Sequence, residues 1–321
     1  MRELVLCGDI GGTNASFSIV SIENKATEIL LIEKYSTSSI QDISDVISKF
    51  LEIAREKGYN PQRACFCVAG PVENNKYAKL TNRDLIISAD DITSKTKLGY
   101  VRIINDFEGI AYSINIIRED DLLVLRNGEK ILGTKAVIGA GTGLGTGILY
   151  FNGSDYEPIP SEGGHCTFPI ENSDEMSLVE FIKRRLGRST FPETEDFVSG
   201  YGLELIYRYL QDSYDCPKDV PSMKISETKE TNECSKATYK IFKRFYARAC
   251  RNLALMSLSR GGLFIGGGIA AKNTDMFDDD FLSEFLRHDR FGSLLEKIPI
   301  SVITDYYISH RGAAYALGNI G

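Results

Sequence analysis

Apolar residues recur along this chain with two different periods, and the places where the period changes divide it into elements. Runs rich in β-branched and aliphatic residues at 3–10, 15–21 and 28–35 predict three strands in succession. The period then lengthens. Ile43, Val46, Ile47, Phe50, Leu51 and Ala54 share one helical face, which predicts a helix over 40–57 stopped by Gly58. A strand at 64–68, the turn Gly70-Pro71, Asn74-Asn75 leading into 77–80, a helix near 88–96 and a strand at 101–104 follow. After Asn105-Asp106, residues Phe107, Ile110, Ala111 and Ile114 return to helical spacing. The first part of the chain therefore reads β-β-β-α-β-α-β-α, the pattern of a mixed sheet with helices on its faces.

Strand-like residues at 136–139 and 144–150 flank a glycine turn, and the chain then becomes mostly helical at 176–186, 202–209 and 237–259. The polar stretch 212–232, which contains Pro, Ser and Lys, predicts an exposed loop. Residues 262–265 read as a strand running into Gly266-Gly267-Gly268, with a last strand at 300–304 and a last helix at 312–317. The nearest thing to an internal repeat is a pair of strand-turn-strand units. One is Leu4-Val5-Leu6-Cys7-Gly8-Asp9-Ile10-Gly11-Gly12-Thr13-Asn14, the other Ala136-Val137-Ile138-Gly139-Ala140-Gly141-Thr142-Gly143. Such duplication suggests two related halves with a cleft between them.

The two turns share a chemistry as well as a pattern. Glycine brings backbone N–H groups close to a ligand, and Thr13 and Thr142 each add a hydroxyl donor. Two such cradles suit one polyanion and point to a nucleoside triphosphate. Neither turn is a phosphate loop of the Gly-Lys-Ser/Thr kind, and neither fits G-x-G-x-x-G opening a helix. Asp9 beside phosphate calls for a divalent cation between the two, which points to Mg²⁺. Taken singly, each turn also fits a tight hairpin that binds nothing.

Asn105-Asp106 lies where a strand gives way to a helix, the position at which α/β sheets present ligand-binding residues. Asp106 in that place fits an N-cap, and it equally fits a base that accepts the proton of an attacking hydroxyl. Glu162-Gly163-Gly164-His165 puts one of only three histidines three residues from a carboxylate across a Gly-Gly turn. That spacing fits an ordinary surface turn, or a shelf for a polyhydroxylated ligand whose hydroxyls each want a donor and an acceptor. A Glu-His pair lacking further ligands at metal spacing is weak evidence for zinc.

Composition narrows the partners. With 321 residues, 43% of them apolar and 25% charged, the chain has the make-up of a globular protein large enough for two domains. A net charge of −7 without a basic stripe argues against nucleic acid. Met1-Arg2-Glu3 leads directly into a strand without the apolar core of a secretory signal, and no stretch approaches the roughly 18 apolar residues of a membrane span, so the expectation is a cytoplasmic protein. The seven cysteines, at 7, 65, 67, 166, 216, 234 and 250, include no C-x-x-C pair and predict buried reduced thiols, with Cys65 and Cys67 on one face of a strand.

Five motifs occur in an order that resembles the bacterial-type ATP-dependent glucokinases: Gly8-Asp9-Ile10-Gly11-Gly12-Thr13-Asn14, Ile104-Asn105-Asp106-Phe107, Gly139-Ala140-Gly141-Thr142-Gly143-Leu144-Gly145, Glu162-Gly163-Gly164-His165 and Gly266-Gly267-Gly268-Ile269. The likeness runs from end to end and takes in Pro71 and Thr81-Asn82. It implies an α/β fold of the actin-like, sugar-kinase and chaperone ATPase kind: two ribonuclease-H-like domains, mixed sheets flanked by helices, a cleft between them. The expected boundaries are 1–108 plus about 304–321 for a small domain and 109–303 for a large one. The resemblance further implies a glycolytic, cytoplasmic, homodimeric enzyme that binds glucose and ATP with Mg²⁺. Asp106 would be the catalytic base, and Asn105, Glu162 and His165 would bind sugar hydroxyls. Glu195, before Ser199-Gly200-Tyr201-Gly202-Leu203, takes the role of a further sugar-binding glutamate, with Glu193 a competitor for it. Asp9 would hold Mg²⁺ through water. Gly11, Gly12, Thr13 and Asn14 would contact the transferred phosphate, Gly141, Thr142 and Gly143 the inner phosphates, and Gly267 and Gly268 the adenosine.

The chain departs from the related repressor and sugar-kinase (ROK) group, in which a cysteine-rich zinc motif follows the Glu-Gly-Gly-His element; here Cys166-Thr167-Phe168-Pro169 leads into Glu171, Asp174 and Glu175. Nor does a helix-turn-helix precede the first strand. Zinc and DNA binding are both disfavoured. Competing readings are a kinase for mannose, fructose or an N-acetylhexosamine, a user of ADP or polyphosphate, a sugar-binding regulator with little kinase activity, and an actin-like filament or chaperone ATPase. Asp106 speaks against the regulator, and the Glu162/His165 shelf against the filament.

Overall fold

The computed structural model describes residues 2–80, 83–214 and 216–318. Thr81-Asn82 lie outside the described residues. The chain runs through β1 (Glu3–Ile10), β2 (Asn14–Glu23), β3 (Ala26–Ser36), α1 (Ile43–Glu56), β4 (Arg63–Val68), β5 (Val72–Glu73), β6 (Tyr77–Lys79), β7 (Ile86–Ser88), α2 (Ala89–Thr96), β8 (Tyr100–Asn105) and α3 (Asp106–Ser113). It continues with β9 (Leu122–Arg126), β10 (Lys135–Ala140), β11 (Leu144–Phe151), β12 (Tyr156–Ile159), α4 (Ser173–Leu186), α5 (Gly200–Tyr214), α6 (Ser222–Glu227) and α7 (Glu233–Ser257). β13 (Gly262–Gly266), α8 (Gly267–Lys272), α9 (Asp279–Leu286), α10 (Gly292–Leu295), β14 (Ile300–Ile303) and α11 (Ile308–Gly318) complete it. Two compact units emerge: Met1–Glu119 with Asn152–Pro160 and Asp305–Gly321, and Asp120–Phe151 with Ser161–Thr304. The boundary at 108 expected from the sequence falls inside α3.

In the first unit five strands lie in the order β3-β2-β1-β4-β8. β1 pairs antiparallel with β2 and parallel with β4, and β4 pairs parallel with β8. Alternation along β4 sorts its side chains to two cores. Ala64, Phe66 and Val68 pack with Ile47, Phe50 and Leu51 of α1, while Cys65 and Cys67 face Ala313 and Ala314 of α11. Burying each large side chain of this kind contributes about 1.5–3 kcal/mol. α1 starts later than the expected residue 40 because Asp42 caps it, accepting from Ser44 N at 2.8 Å. α3 and α11 cross at two glycines: a Cβ on Gly312 would run into the Gly109 carbonyl oxygen, and one on Gly109 into Cys67 Sγ.

The second unit repeats the pairing pattern. β10 pairs antiparallel with β11 and parallel with β13, β13 pairs parallel with β14, and β9 is added antiparallel to β14. α7 carries Phe242, Phe245 and Tyr246 into the core, where Phe245 lies 4.9 Å from Phe168 and 5.4 Å from Phe197 between ring centroids. One turn further on, Arg248 is fully buried and holds Glu175 through two hydrogen bonds of 2.8 and 2.9 Å.

Two expectations need correction. The stretch 212–232 is not all loop, because α6 lies within it and buries Ile225, with Ser222 N donating to Glu204 Oε1 at 3.0 Å. Six residues with one apolar anchor are too few to show a helical period. The thiols are not all buried either: Cys7, Cys65, Cys67, Cys234 and Cys250 are, but Cys166 is exposed and Cys216 half-buried. Cys166 lies between His165 and Thr167, both of them exposed as well. No described helix is long and apolar enough to cross a membrane.

Candidate functional site

In the first unit the parallel strands β1, β4 and β8 end in register, with Ile10 opposite Val68 and Val68 opposite Asn105. Two strand spacings, roughly 10 Å, separate the Asp9 hairpin from the start of α3 along this edge. Asn105 is the N-cap of α3, accepting from Phe107 N at 2.9 Å through Oδ1, while its Nδ2 donates to the Gly70 carbonyl at 3.3 Å. The capping role weighed for Asp106 therefore belongs to its neighbour. Asp106 is the first residue of the helix, half-buried, with Oδ1 3.0 Å from the same Phe107 N.

Asp9 stands two residues before the glycine turn. Its Oδ2 accepts from Ser309 Oγ of α11 at 2.6 Å. Next to Ser309, the His310 ring bridges β2, with Nε2 2.8 Å from Ser16 Oγ and Nδ1 2.8 Å from Ser18 Oγ. Burial pushes this imidazole below its ordinary value even though Asp9 and Asp305 pull it upward. The turn closes through Gly11 N on Asn14 O (2.9 Å) and is braced by Thr37 N on Thr13 O (3.0 Å) and Arg83 Nε on Gly12 O (3.1 Å). Thr13 and Asn14 remain exposed.

No cluster of three or more metal-ligating side chains exists among the described residues. The donor set at the first hairpin is thus a single carboxylate, which does not fit zinc. It fits Mg²⁺, which keeps most of its waters and takes one or two carboxylates together with the phosphates of its nucleotide.

In the second unit the turn after β10 closes through Gly141 N on Gly143 O, and α5 starts against it, Gly200 N donating to Gly141 O, each at 2.8 Å. Leu144 links this turn to the other predicted residues. Its N–H donates to Glu195 Oε2 at 2.8 Å, and its carbonyl lies where a Cβ on Gly164 would stand. A Cβ on Gly143 would displace the Glu195 carboxylate. α8 begins at Gly267, whose φ of +86° seats it against the end of β10, where a Cβ would come within 2.8 Å of Ala140 O. Gly268 follows in open space.

His165 ends the short turn that starts at Gly163. Its Nδ1 lies 2.8 Å from Glu193 Oε2 and its Nε2 3.8 Å from Glu162 Oε2. The hydrogen bond to Glu193 leads the effects that raise this imidazole above its ordinary value, with Glu195 and Glu162 adding to it. Glu193 is held in turn by Arg188, 3.3 Å from Oε1, and Asp196 accepts from Glu193 N at 2.8 Å. The two glutamates that the sequence left in competition thus have different partners.

The first unit therefore brings Asp9, Gly11, Gly12, Thr13 and Asn14 to the same sheet edge as Asn105 and Asp106. The second gathers Gly141, Thr142 and Gly143 with Glu195, Gly267 and Gly268 around one turn, with Glu162 and His165 adjoining through Gly164. Sequence reasoning missed Ser309 and Arg188. Ser309 lies 300 positions from Asp9, and no spacing rule reaches that far.

Comparison with known proteins gives concordant results. A family model described as Glucokinase matches residues 6–320. The glucokinase of Trichormus variabilis is 32% identical over 97% of this chain and 98% of its own length. The solved structure of a glucokinase from an Antarctic psychrotroph superposes with a TM-score of 0.83 at 25% identity, covering 99% of both chains. A ROK family glucokinase from Streptomyces griseus, solved in complex with glucose and AMPPNP, shares the fold with a TM-score of 0.69 at 17% identity over 97% of this chain and 98% of its own.

Proposed function

This chain belongs to the glucokinase family, and from that premise we propose that it transfers the γ-phosphoryl group of ATP to the 6-hydroxyl of D-glucose, giving glucose 6-phosphate and ADP. The observation that carries the reading is Asp106, placed by the Asn105 cap at the head of α3 on the same sheet edge as the Asp9 hairpin. Phosphoryl transfer needs little covalent chemistry from the protein; it needs an in-line acceptor and stabilised charge.

In this proposal Asp106 orients the acceptor hydroxyl and takes its proton as the oxygen attacks phosphorus. Asn105, Glu162, His165 and Glu195 bind the remaining hydroxyls. Gly11 and Gly12, with Thr13 and Asn14, contact the transferred phosphoryl group. Gly141, Thr142 and Gly143 contact the inner phosphates, while Gly267 and Gly268 leave room for the adenosine. Asp9, oriented by Ser309, would hold Mg²⁺ through water. Bound with the nucleotide, that ion supplies neutralising charge on the phosphates. The AMPPNP and glucose of the Streptomyces griseus structure accord with this choice of ligands.

The test is a coupled assay of the purified protein against a panel of hexoses and N-acetylhexosamines with ATP, ADP and polyphosphate. Glucose with ATP is the expected best pair, and a protein that phosphorylates no hexose overturns the reading. Asp106→Asn is expected to lower kcat by about 10²–10⁴ while calorimetry shows glucose binding close to wild type. Turnover surviving within about tenfold would remove Asp106 from the role of base.

A further inference from the structure

We propose that Glu193 is a positioning residue for His165, fixing the imidazole so that Nε2 is the edge that meets a hydroxyl of the acceptor sugar. The inference rests on the reading of His165 as a sugar ligand. It begins from exposure: the His165 side chain is 47% exposed in a turn opened by two glycines, where an unpartnered ring samples several rotamers and both tautomers. Glu193 removes that freedom. Its Oε2 lies 2.8 Å from Nδ1, and Glu193 is itself held from several directions.

Arg188 Nη1 is 3.3 Å from Glu193 Oε1 and 2.5 Å from Asp196 Oδ2, and that same oxygen accepts from Glu193 N. The backbone of Glu193 forms an antiparallel bridge with Thr167, two residues past His165, and Thr194 donates to the Cys166 carbonyl through both N and Oγ1 at 2.8 Å. The carboxylate is therefore fixed relative to the segment that carries the histidine.

With Nδ1–H donated to Glu193, Nε2 faces the other way, 3.8 Å from Glu162 Oε2. That span is too long for a direct hydrogen bond and short enough for one hydroxyl oxygen to meet both groups, accepting from Nε2–H and donating to the carboxylate. The charged groups facing the ring are the carboxylates of Glu162, Glu193 and Glu195. Asp196 and Arg188 act on it through Glu193, and β11, which packs against the turn, presents Thr146, hydrogen-bonded to Ser161. The three carboxylates favour the imidazolium, the form that donates from both nitrogens. Glu193 thus acts through His165, whereas Glu195 reaches the glycine turn.

Glu193→Gln keeps the shape and removes the charge, and its amide serves either tautomer equally. The expected result is a glucose KM raised about fivefold to tenfold at mildly alkaline pH, with kcat within about twofold. The pH at which KM begins to rise should move down by about one unit, because a neighbouring anion no longer supports the imidazolium. Glu193→Asp, which retains the charge, should recover part of that shift. Two-bond ¹H–¹⁵N spectra provide a second readout in a chain with three histidines. Neutral His165 should carry its proton on Nδ1 in the wild type and lose that preference in Glu193→Gln.

Superimposable KM–pH profiles for wild type and Glu193→Gln overturn the inference. So does a uniform fall in activity and Tm without a pH shift, which is the mark of a brace. Should Glu193→Gln not fold, the wild-type spectrum decides alone, since a neutral His165 protonated on Nε2 contradicts the proposal. Failure of the function reading shows separately, as a wild-type protein that phosphorylates no hexose.

Discussion

Glu193 and Glu195 sit two positions apart in one short turn, yet one carboxylate turns to His165 and the other to the N–H of Leu144. The second arrangement depends on an absent side chain, because only glycine at 143 leaves the Glu195 carboxylate its place. Gly143→Ala is expected to raise the glucose KM about tenfold while the far-ultraviolet dichroism stays unchanged, since it displaces one charge-assisted hydrogen bond and no core residue. At the first hairpin, Ser309→Ala removes the hydroxyl that fixes Asp9 Oδ2. Titrating Mg²⁺ at constant ATP should show a weaker half-saturation by about threefold to tenfold with the glucose KM unmoved, in keeping with about 1.5–3 kcal/mol for a hydrogen bond to a charged group before solvent competes. The glycines, Asp9, Asn105, Asp106, Glu162 and His165 were all legible as residue types in telling positions. Their supports were not, because Ser309 and Arg188 act through tertiary contacts that leave no periodicity.

Elements place these residues through packing that local sequence describes only in part. The crossing of α3 and α11 brings Gly312 against the Gly109 carbonyl, three residues along the helix that Asp106 begins. Gly312→Ala overpacks this crossing and is expected to cost about 1–3 kcal/mol, seen as a lower Tm. The displaced α3 should lower kcat as well. In the second unit, burial pushes the carboxyls of Glu171 and Glu175 up. The guanidiniums around them, Arg287, Arg248 and Arg251 for the first and Arg248 and Arg244 for the second, outweigh it and hold both below the ordinary 4.5. A carboxyl lowered on folding gives its full stabilisation above its unfolded value and loses it as pH falls through the folded one. The contribution of these two carboxyls to stability should therefore be level above about pH 5 and decline on acidification. Glu175→Gln should have a lower Tm at neutral pH and a shallower acid slope, because it leaves Arg248 buried with less charge to answer it. Long periodic elements such as α1 and α7 could be read from the chain. α6 could not, nor could β9, whose Leu123 and Val124 lie exposed at a sheet edge and show no clean alternation.

At the scale of the molecule, the repeated glycine turns belong to repeated sheets: β2-β1-β4-β8 and β11-β10-β13-β14 share one sequence of antiparallel, parallel and parallel pairings. Each unit also has hydrophobic clusters of its own. Calorimetry is expected to give a ratio of calorimetric to van't Hoff enthalpy above one, and a ratio of one would show that the units melt together. The first unit is not contiguous, since α11, carrying Ser309 and Gly312, completes a core begun by β1. On the ribosome that has a temporal meaning. The intervening unit is translated while the first still lacks α11, so the nascent chain holds an unfinished apolar face, open to chaperones, until that helix emerges.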